Sequence, residues 1–380
     1  MATIKMRNLG LVYPNGHVGL DGIDLEVHDG EFLALLGPSG SGKTTLLRTI
    51  AGFLRPSAGS LSIDGKDMAG EGTWVPPEKR GLGMVFQDHA IWPHLSVAGN
   101  VGYPLKFSGV PRAQLAHRVA EVLEQVGLAE YAKRKPAALS GGQRQRVALA
   151  RAIVASPKAL LLDEALSALD EPLRARLRLE LRALTREQGL TAVHVTHDRA
   201  EALGLADRVV VLNEGKIQQV GTPAELLENP ANSFVASFVS DATLFHGTLV
   251  DGNFHADHPG AKFTDQLKTS RNPGVKLVGV PQSAGSRSRR AVAAVAPTAV
   301  RLEPVENRGT GTTPGGAPLA RVTSALYGRH GYETSLDWTG TELRVLVGGW
   351  VPTEGQLVRP VIESAHVFCE EAGSAEGRAA

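Results

Sequence analysis

The chain has 380 residues, 42% hydrophobic and 21% charged, which fits a folded globular protein of two or three domains. Forty Lys and Arg against thirty-nine Asp and Glu leave a formal charge of +1, which excludes a global field that would draw the chain onto nucleic acid or an anionic membrane. The single cysteine, Cys369, excludes an internal disulfide framework and suits a reducing compartment; the opening MATIKMRNLG lacks the apolar core of a signal peptide, and no run reaches the roughly 20 apolar residues of a spanning helix.

From residue 1 to about 239 the pattern alternates between strands and helices, which predicts a mainly parallel sheet covered on both faces. GEFLALLG is a short apolar run stopped by glycine, the pattern of a buried strand, and KTTLLRTIAGF follows with helical spacing. Between them, LLGPSGSGKTTLL fits G-x-x-x-x-G-K-[ST]: Gly37, then Pro38, Ser39, Gly40 and Ser41, then Gly42, Lys43 and Thr44, with Thr45 following. The glycines bare backbone N–H groups that can surround a phosphate, and side chains at Gly40 and Gly42 would block that approach. The helix starting near Lys43 adds unpaired N–H groups and a positive dipole end. In such a loop the lysine reaches the β- and γ-phosphates of ATP and the Thr44 hydroxyl ligates Mg²⁺.

Residues of about 90–155 read as a helical subdomain inserted into this α/β core, with leucine and valine at i, i+3, i+4 spacing. Within it, LSGGQRQR offers a helix start at Ser140, and Gly141 and Gly142 again expose the backbone before Gln143, a second place to grip an anion. One triphosphate needs one such cradle, so the second predicts a nucleotide held by another copy of the chain. ALLLDE is an apolar strand ending in two carboxylates: Asp163 is placed to hold the Mg²⁺ shell, and Glu164 to orient or deprotonate water. TAVHVTHD and RVVVLNEGKI are further β-branched strands.

After about residue 239 short strand-like pieces (FHGTLV, KLVGV, LARVTSALYG, YETSLDW, ELRVLVGG) lie between Gly, Pro, Asn and Asp, which predicts a small all-β domain over 240–380. SAGSRSRR and NRGTGTTPGGAP read as flexible loops in it, and EEAGSAEGRAA as a disordered tail.

In this order the residues resemble the ATP-binding subunit of an ABC transporter, of the binding-protein-dependent importer type. The likeness runs over about residues 4 to 240 and is carried by Tyr13, the P-loop, Gln87 in MVFQDHAIWPHLSV, LSGGQ at Leu139–Gln143, Asp163 with Glu164, SALD at Ser167–Asp170, and His197 in VTHD. It implies an α/β P-loop nucleoside triphosphatase core with an inserted helical subdomain. It further implies that Tyr13 stacks on adenine, Gln87 lies near Mg²⁺ and the attacking water, Glu164 is the catalytic glutamate, Asp170 joins two copies, and His197 contacts the γ-phosphate. Beside these stand plainer readings: Tyr13 as a packed strand-end aromatic, Gln87 as a polar loop residue, His197 as a core histidine. His194 has no motif role and reads as structural. Ala165 stands where the family commonly has proline.

The implied cofactors are ATP and Mg²⁺. The implied partners are a second copy of the chain, integral membrane permease subunits that receive the segment around Ile91 and Trp92, and, indirectly, a substrate-binding protein, with no nucleic acid. The implied location is peripheral, on the cytoplasmic face of the inner membrane. The β-rich end resembles, through VAPTAVRL and TSALYGRHGYETSLDWTGTELRVLV, a TOBE-type, OB-like accessory domain that binds a regulatory ligand or strengthens dimer contacts. The expected cargo is of the polyamine, ferric iron or phosphonate type, with sugar import as the alternative. A soluble ABC ATPase outside transport would carry a long coiled-coil insertion or two nucleotide domains in one chain. A ligand-sensing regulatory protein with an idle ATPase is opposed by intact Glu164 and His197.

Overall fold

The computed structural model describes residues 3–166, 171–257, 267, 275–278, 288–305, 318–328 and 331–369. Chain contacts divide it into two units, Met1–Pro223 and Ala224–Ala380. The line drawn from sequence at residue 239 lies further along, near the end of the second of two short helices that this division leaves almost wholly with the C-terminal unit.

The first unit opens with β1 (Ile4–Val12) and β2 (Val18–Val27), an antiparallel pair in which Ile4 faces Val27. Next come β3 (Phe32–Leu36), α1 (Lys43–Ala51), β4 (Ala58–Ile63), β5 (Lys66–Gly70), β6 (Thr73–Trp74) and β7 (Leu82–Val85). The inserted helices are α2 (Val97–Phe107), α3 (Arg112–Gln125) and α4 (Gly141–Ile153), which bury Val101, Leu105, Val119, Leu123 and Val147 in a core of their own. The α/β pattern then resumes with β8 (Ala159–Asp163), α5 (Glu171–Glu187), β9 (Thr191–Val195), α6 (Arg199–Leu205), β10 (Arg208–Asn213) and β11 (Lys216–Gly221).

Two sheets result. One, in the order β11-β10-β3-β9-β8-β7, is parallel except for its edge pair β10 and β11, as the sequence predicts. The other, β2-β1-β4-β5-β6, is antiparallel throughout and stands beside the predicted parallel sheet without having been expected from sequence. The reason lies in burial. All five residues of β3, β8 and β9 are buried, as strands covered on both faces require, whereas β2 alternates buried and exposed positions along most of its length, as one-faced antiparallel strands do. Helix α1 fills the space with Leu46, Leu47 and Ile50, packed in one cluster with Leu35, Leu161 and Val193. Strands β3, β9, β8 and β7 run side by side in one direction, so the segments leaving their C-terminal ends emerge together. That edge is where open α/β sheets carry their ligands.

The second unit starts with α7 (Pro223–Glu228), whose first residue closes the preceding unit, and α8 (Ser233–Ser240). The strands follow: β12 (Thr243–Val250), β13 (Asn253–Ala256), β14 (Val275–Val278), β15 (Arg289–Val295), β16 (Val300–Pro304), β17 (Ala320–Gly328), β18 (Gly331–Trp338), β19 (Thr341–Val347), β20 (Leu357–Ile362) and β21 (Ala365–Cys369). They form two five-stranded sheets, β13-β12-β15-β21-β14 and β16-β20-β17-β18-β19, around one apolar core. Trp338 is fully buried there, edge-on to Phe245 at 6.1 Å, with its indole N–H donated to the Pro318 carbonyl at 2.9 Å. The tail and most of the two loops read as flexible lie outside the described residues.

Candidate functional site

The glycine-rich loop joins β3 to α1. Two of its glycines are required by the protein itself. A Cβ at Gly37 would lie 2.2 Å from the Leu212 carbonyl oxygen. Gly42 has φ 101°, and a Cβ there would meet the Gly19 carbonyl at 2.7 Å. Gly40, at φ 80°, has nothing within 4 Å of an added Cβ; its backbone conformation, not crowding within the chain, calls for glycine. Lys43 is buried, and its Nζ donates to the carbonyls of Gly37 and Pro38, both at 2.8 Å, and to Ser41 Oγ at 3.4 Å. Burial pushes its ammonium below the usual lysine range, against the pull of the Glu164 carboxylate. The loop therefore wraps a cation at its centre and ends on a helix N-terminus, an arrangement that attracts an anion.

At the end of β8, Asp163 is buried and accepts from Thr44 Oγ1 at 3.5 Å, with Arg48 of α1 at 3.7 Å from its other oxygen. Burial lifts its carboxyl above the usual carboxylate range; Arg48 opposes that and Glu164 adds to it. Glu164 adopts φ 47° and donates its N–H to the Val195 carbonyl of neighbouring β9 at 3.1 Å. A non-glycine residue in that region is strained, and such strain gathers at functional sites. Its side chain receives the Gln87 amide at 3.0 Å on Oε2 and faces His197 Nδ1 at 3.7 Å from Oε1. Gln87 leaves β7 and His197 leaves β9. Four adjacent strands thus deliver the loop, the two carboxylates, the amide and the imidazole to one edge.

Of the other expected residues, Tyr13 is tied to the glycine-rich loop and the Ser140 turn is not. Tyr13, half-buried, bonds through its hydroxyl to Thr45 Oγ1 at 2.9 Å and lies against His17 at 6.0 Å. Its ring sits over Gly19, where a Cβ would come within 2.7 Å of it. Ser140 caps α4 in a full capping box: its hydroxyl accepts from Gln143 N at 3.3 Å, and Gln143 Oε1 accepts from Ser140 N at 2.9 Å. Gly141 and Gly142 form the first turn of that helix. Among the described residues no hydrogen bond or ion pair joins Ser140–Gln143 to the P-loop of the same chain. Ser167–Asp170 lie outside the described residues. Trp92 is exposed, with its ring 5.7 Å from Tyr103. Among the described residues, no helix is long and apolar enough to cross a membrane.

Sequence reasoning missed the residues that support this site. Arg80 is 1% exposed, and its guanidinium donates to the Thr49 and Ile50 carbonyls at the end of α1, to Val75 and to Met68, while stacking over Trp74 at 4.9 Å. It clamps the P-loop helix to the antiparallel sheet. Asn100, fully buried, exchanges two hydrogen bonds with the Trp92 backbone. Only the tripeptide EKR marks Arg80, and it reads as surface.

Residues 20–167 match the ABC transporter family. The spermidine/putrescine import ATP-binding protein PotA of Thermobifida fusca is 51% identical over 248 residues, and the match spans 64% of each chain's length. PotA of Nitratidesulfovibrio vulgaris is 47% identical over 262 residues, 68% of this chain and 70% of that protein. The sn-glycerol-3-phosphate import ATP-binding protein UgpC of Vibrio cholerae is 48% identical over 254 residues, 66% of this chain and 67% of the other. Among solved structures, a dimeric ATP-binding cassette in a post-hydrolysis state with ADP and phosphate superposes with a TM-score of 0.52 at 31% identity, over 58% of this chain and 98% of that one. CbiO1 of Clostridium perfringens, part of an ABC transporter complex, gives 0.54 at 30% identity, over 59% and 89%.

Proposed function

The chain belongs to the ABC transporter family, and from that premise we propose that it is the ATP-hydrolysing subunit of an import system, acting as a homodimer on membrane permease subunits. The observation that carries this reading is the meeting of Lys43, Asp163, the Gln87–Glu164 pair and His197 at the ends of adjacent parallel strands.

The cradle at Gly37–Thr45 takes the triphosphate, with Lys43 turned from the Gly37 and Pro38 carbonyls towards phosphate oxygens, and Tyr13 stacks on the base. A magnesium ion arriving with the triphosphate would need only a few protein oxygen ligands beside the substrate's phosphates, and the oxygen donors at this edge fit that need. Thr44, Gln87 and Asp163 would hold it: the buried Asp163 faces the Thr44 hydroxyl, and Gln87 gives its amide N–H to Glu164 and keeps its oxygen. Bound Mg²⁺ neutralises charge on the phosphate oxygens. Glu164 accepts the proton of the attacking water, Gln87 fixes the orientation of that carboxylate, and His197 holds the terminal phosphate from the other side.

Among the described residues Ser140, Gly141, Gly142 and Gln143 make no hydrogen bond or ion pair to their own chain's P-loop, which supports their service to the nucleotide of a second copy. The terminal phosphate then bridges two chains and favours the closed dimer, and its loss releases them. Peripheral binding at the cytoplasmic face of the membrane follows from a permease partner. The β-rich unit serves as a TOBE-type accessory domain. Similarity to the two PotA proteins supports polyamine cargo, and that to UgpC supports a second reading, sn-glycerol-3-phosphate. The test is reconstitution with permease and binding protein in vesicles. Phosphate release should rise with spermidine or putrescine on the first reading and with sn-glycerol-3-phosphate on the second. A chain that does not hydrolyse Mg-ATP in any of these settings overturns the proposal.

A further inference from the structure

Beneath the exposed His197 lies a closed set of buried polar contacts that the nucleotide motifs leave unexplained. His194 sits inside β9, opposite Ala34 of β3 and Leu162 of β8, fully buried and edge-on to Phe32 at 6.1 Å. A histidine in an otherwise apolar central strand position needs a partner, because a buried polar group without one is costly. Its Nε2 is 2.8 Å from Oε1 of Glu201 on α6, itself only 3% exposed. Its Nδ1 has no hydrogen-bond partner. Against a carboxylate, Nε2–H is the donor and Glu201 Oε1 the acceptor. The other Glu201 oxygen accepts from Thr196 Oγ1 at 2.8 Å; Thr196 Oγ1 accepts from Asp198 N at 3.0 Å; and Asp198 Oδ1 accepts from Glu201 N at 3.0 Å. Arg174 of α5 reaches the other Asp198 oxygen at 3.6 Å.

Thr196 and Asp198 flank His197, and both belong to this circuit. The residue between them therefore has its backbone fixed from both sides, while its own ring stays out of the core and faces Glu164. We infer that His194 and Glu201 are positioning residues for His197: the buried imidazole orients the Glu201 carboxylate, which grips Thr196 and so aims the His197 ring at the reacting phosphate. The inference rests on the ATPase reading above and deepens it. A purely structural pair would stabilise the fold without regard to where His197 points.

The full chain carries the test, with Mg-ATP turnover and affinity for a fluorescent ATP analogue measured on the same preparations. H194L removes the donor. H194Q places an amide N–H at the depth of Nε2. T196V removes the hydroxyl with little change of shape and serves where H194L does not fold. Displacing His197 by about an ångström should lower kcat on the order of 10²-fold. The expected result is a fall of that size in H194L and T196V, analogue affinity within about two-fold of the parent, a change too small to register as lost binding energy, and kcat largely recovered in H194Q. Parental kcat in H194L or T196V overturns the inference, as does a joint loss of kcat and affinity that H194Q does not relieve. Absence of turnover in the parent chain overturns the ATPase reading itself, and this inference with it.

Discussion

The Gln87 amide donates to the Glu164 carboxylate at 3.0 Å, joining the ends of two adjacent strands, β7 and β8. The contact matters because Glu164 is already held in a strained conformation, φ 47°, by its N–H bond to Val195. Its backbone and its carboxylate are therefore fixed by different neighbours, a geometry suited to a base that must meet one water. E164Q keeps the shape and removes the proton acceptor. Phosphate release at saturating Mg-ATP should fall about 10²–10⁴-fold, while nucleotide affinity holds and the variant sediments as a dimer with Mg-ATP. Turnover near that of the parent would remove Glu164 from the proposed role.

Asp163 should cost the fold stability at neutral pH. Burial raises its carboxyl above the ordinary aspartate value, with Arg48 and Thr44 opposing the rise. Between its unfolded and folded pKa values the native chain binds more protons than the unfolded one, so stability falls as pH climbs through that window and stays reduced above it. D163N removes the ionised form, so it should raise the melting temperature at pH 7 while lowering Mg²⁺-dependent turnover. A melting temperature that drops, in scans from pH 4 to 7, would mean that the Thr44 and Arg48 contacts outweigh burial.

The strand and helix periods of β3, α1, β8 and β9 were legible because each is a short run whose burial needs no knowledge of distant partners. The Ser140 helix start was legible for the same reason, since a capping box closes within four residues. The antiparallel sheet was missed because its two halves join only through β1 and β4, on either side of α1, and because turn residues in β1 blur its alternation. Arg80 and Glu201 were missed for a deeper reason. Arg80 sits in the polar string EKR and Glu201 between two alanines of α6, and only tertiary packing brings carbonyls to one and a histidine to the other. His194 read as structural because no motif claims it; its partner lies on the next helix.

Arg80 should be a large stability determinant without touching nucleotide. Its fork satisfies carbonyls from α1, β5 and the segment after β6 in a site closed to water. R80M leaves several of these short of donors and should lose roughly 2 kcal/mol or more in urea unfolding. R80K keeps the charge but not the planar fork and should recover only part of the loss. Burial pulls the guanidinium down to about 10, so the folded chain releases that proton before the unfolded chain does. Stability linked to this group therefore changes only above that pH, and the deficit of R80M should be flat across the neutral range. A deficit below about 0.5 kcal/mol, the size of an ordinary surface substitution, would show that Arg80 clamps nothing.

Trp92 should separate docking from chemistry. The ring is 44% exposed beside Tyr103, with Phe107 76% exposed further along α2, and Asn100 holds the Trp92 backbone by hydrogen bonds of 2.8 and 3.1 Å. Exposed aromatics on a rigid support are the residues that dominate interface energies, each worth about 2 kcal/mol or more when central. None of these contacts reaches Lys43, Asp163 or Glu164. W92A should therefore leave basal ATP turnover and nucleotide affinity unchanged in the isolated chain, yet cut permease-stimulated turnover on the order of ten-fold in proteoliposomes. N100A, which frees the same loop from beneath, should weaken stimulation in the same direction. If W92A lowers basal and stimulated rates by equal factors, the ring is packing for the nucleotide site and the permease contact lies elsewhere on the helical insertion.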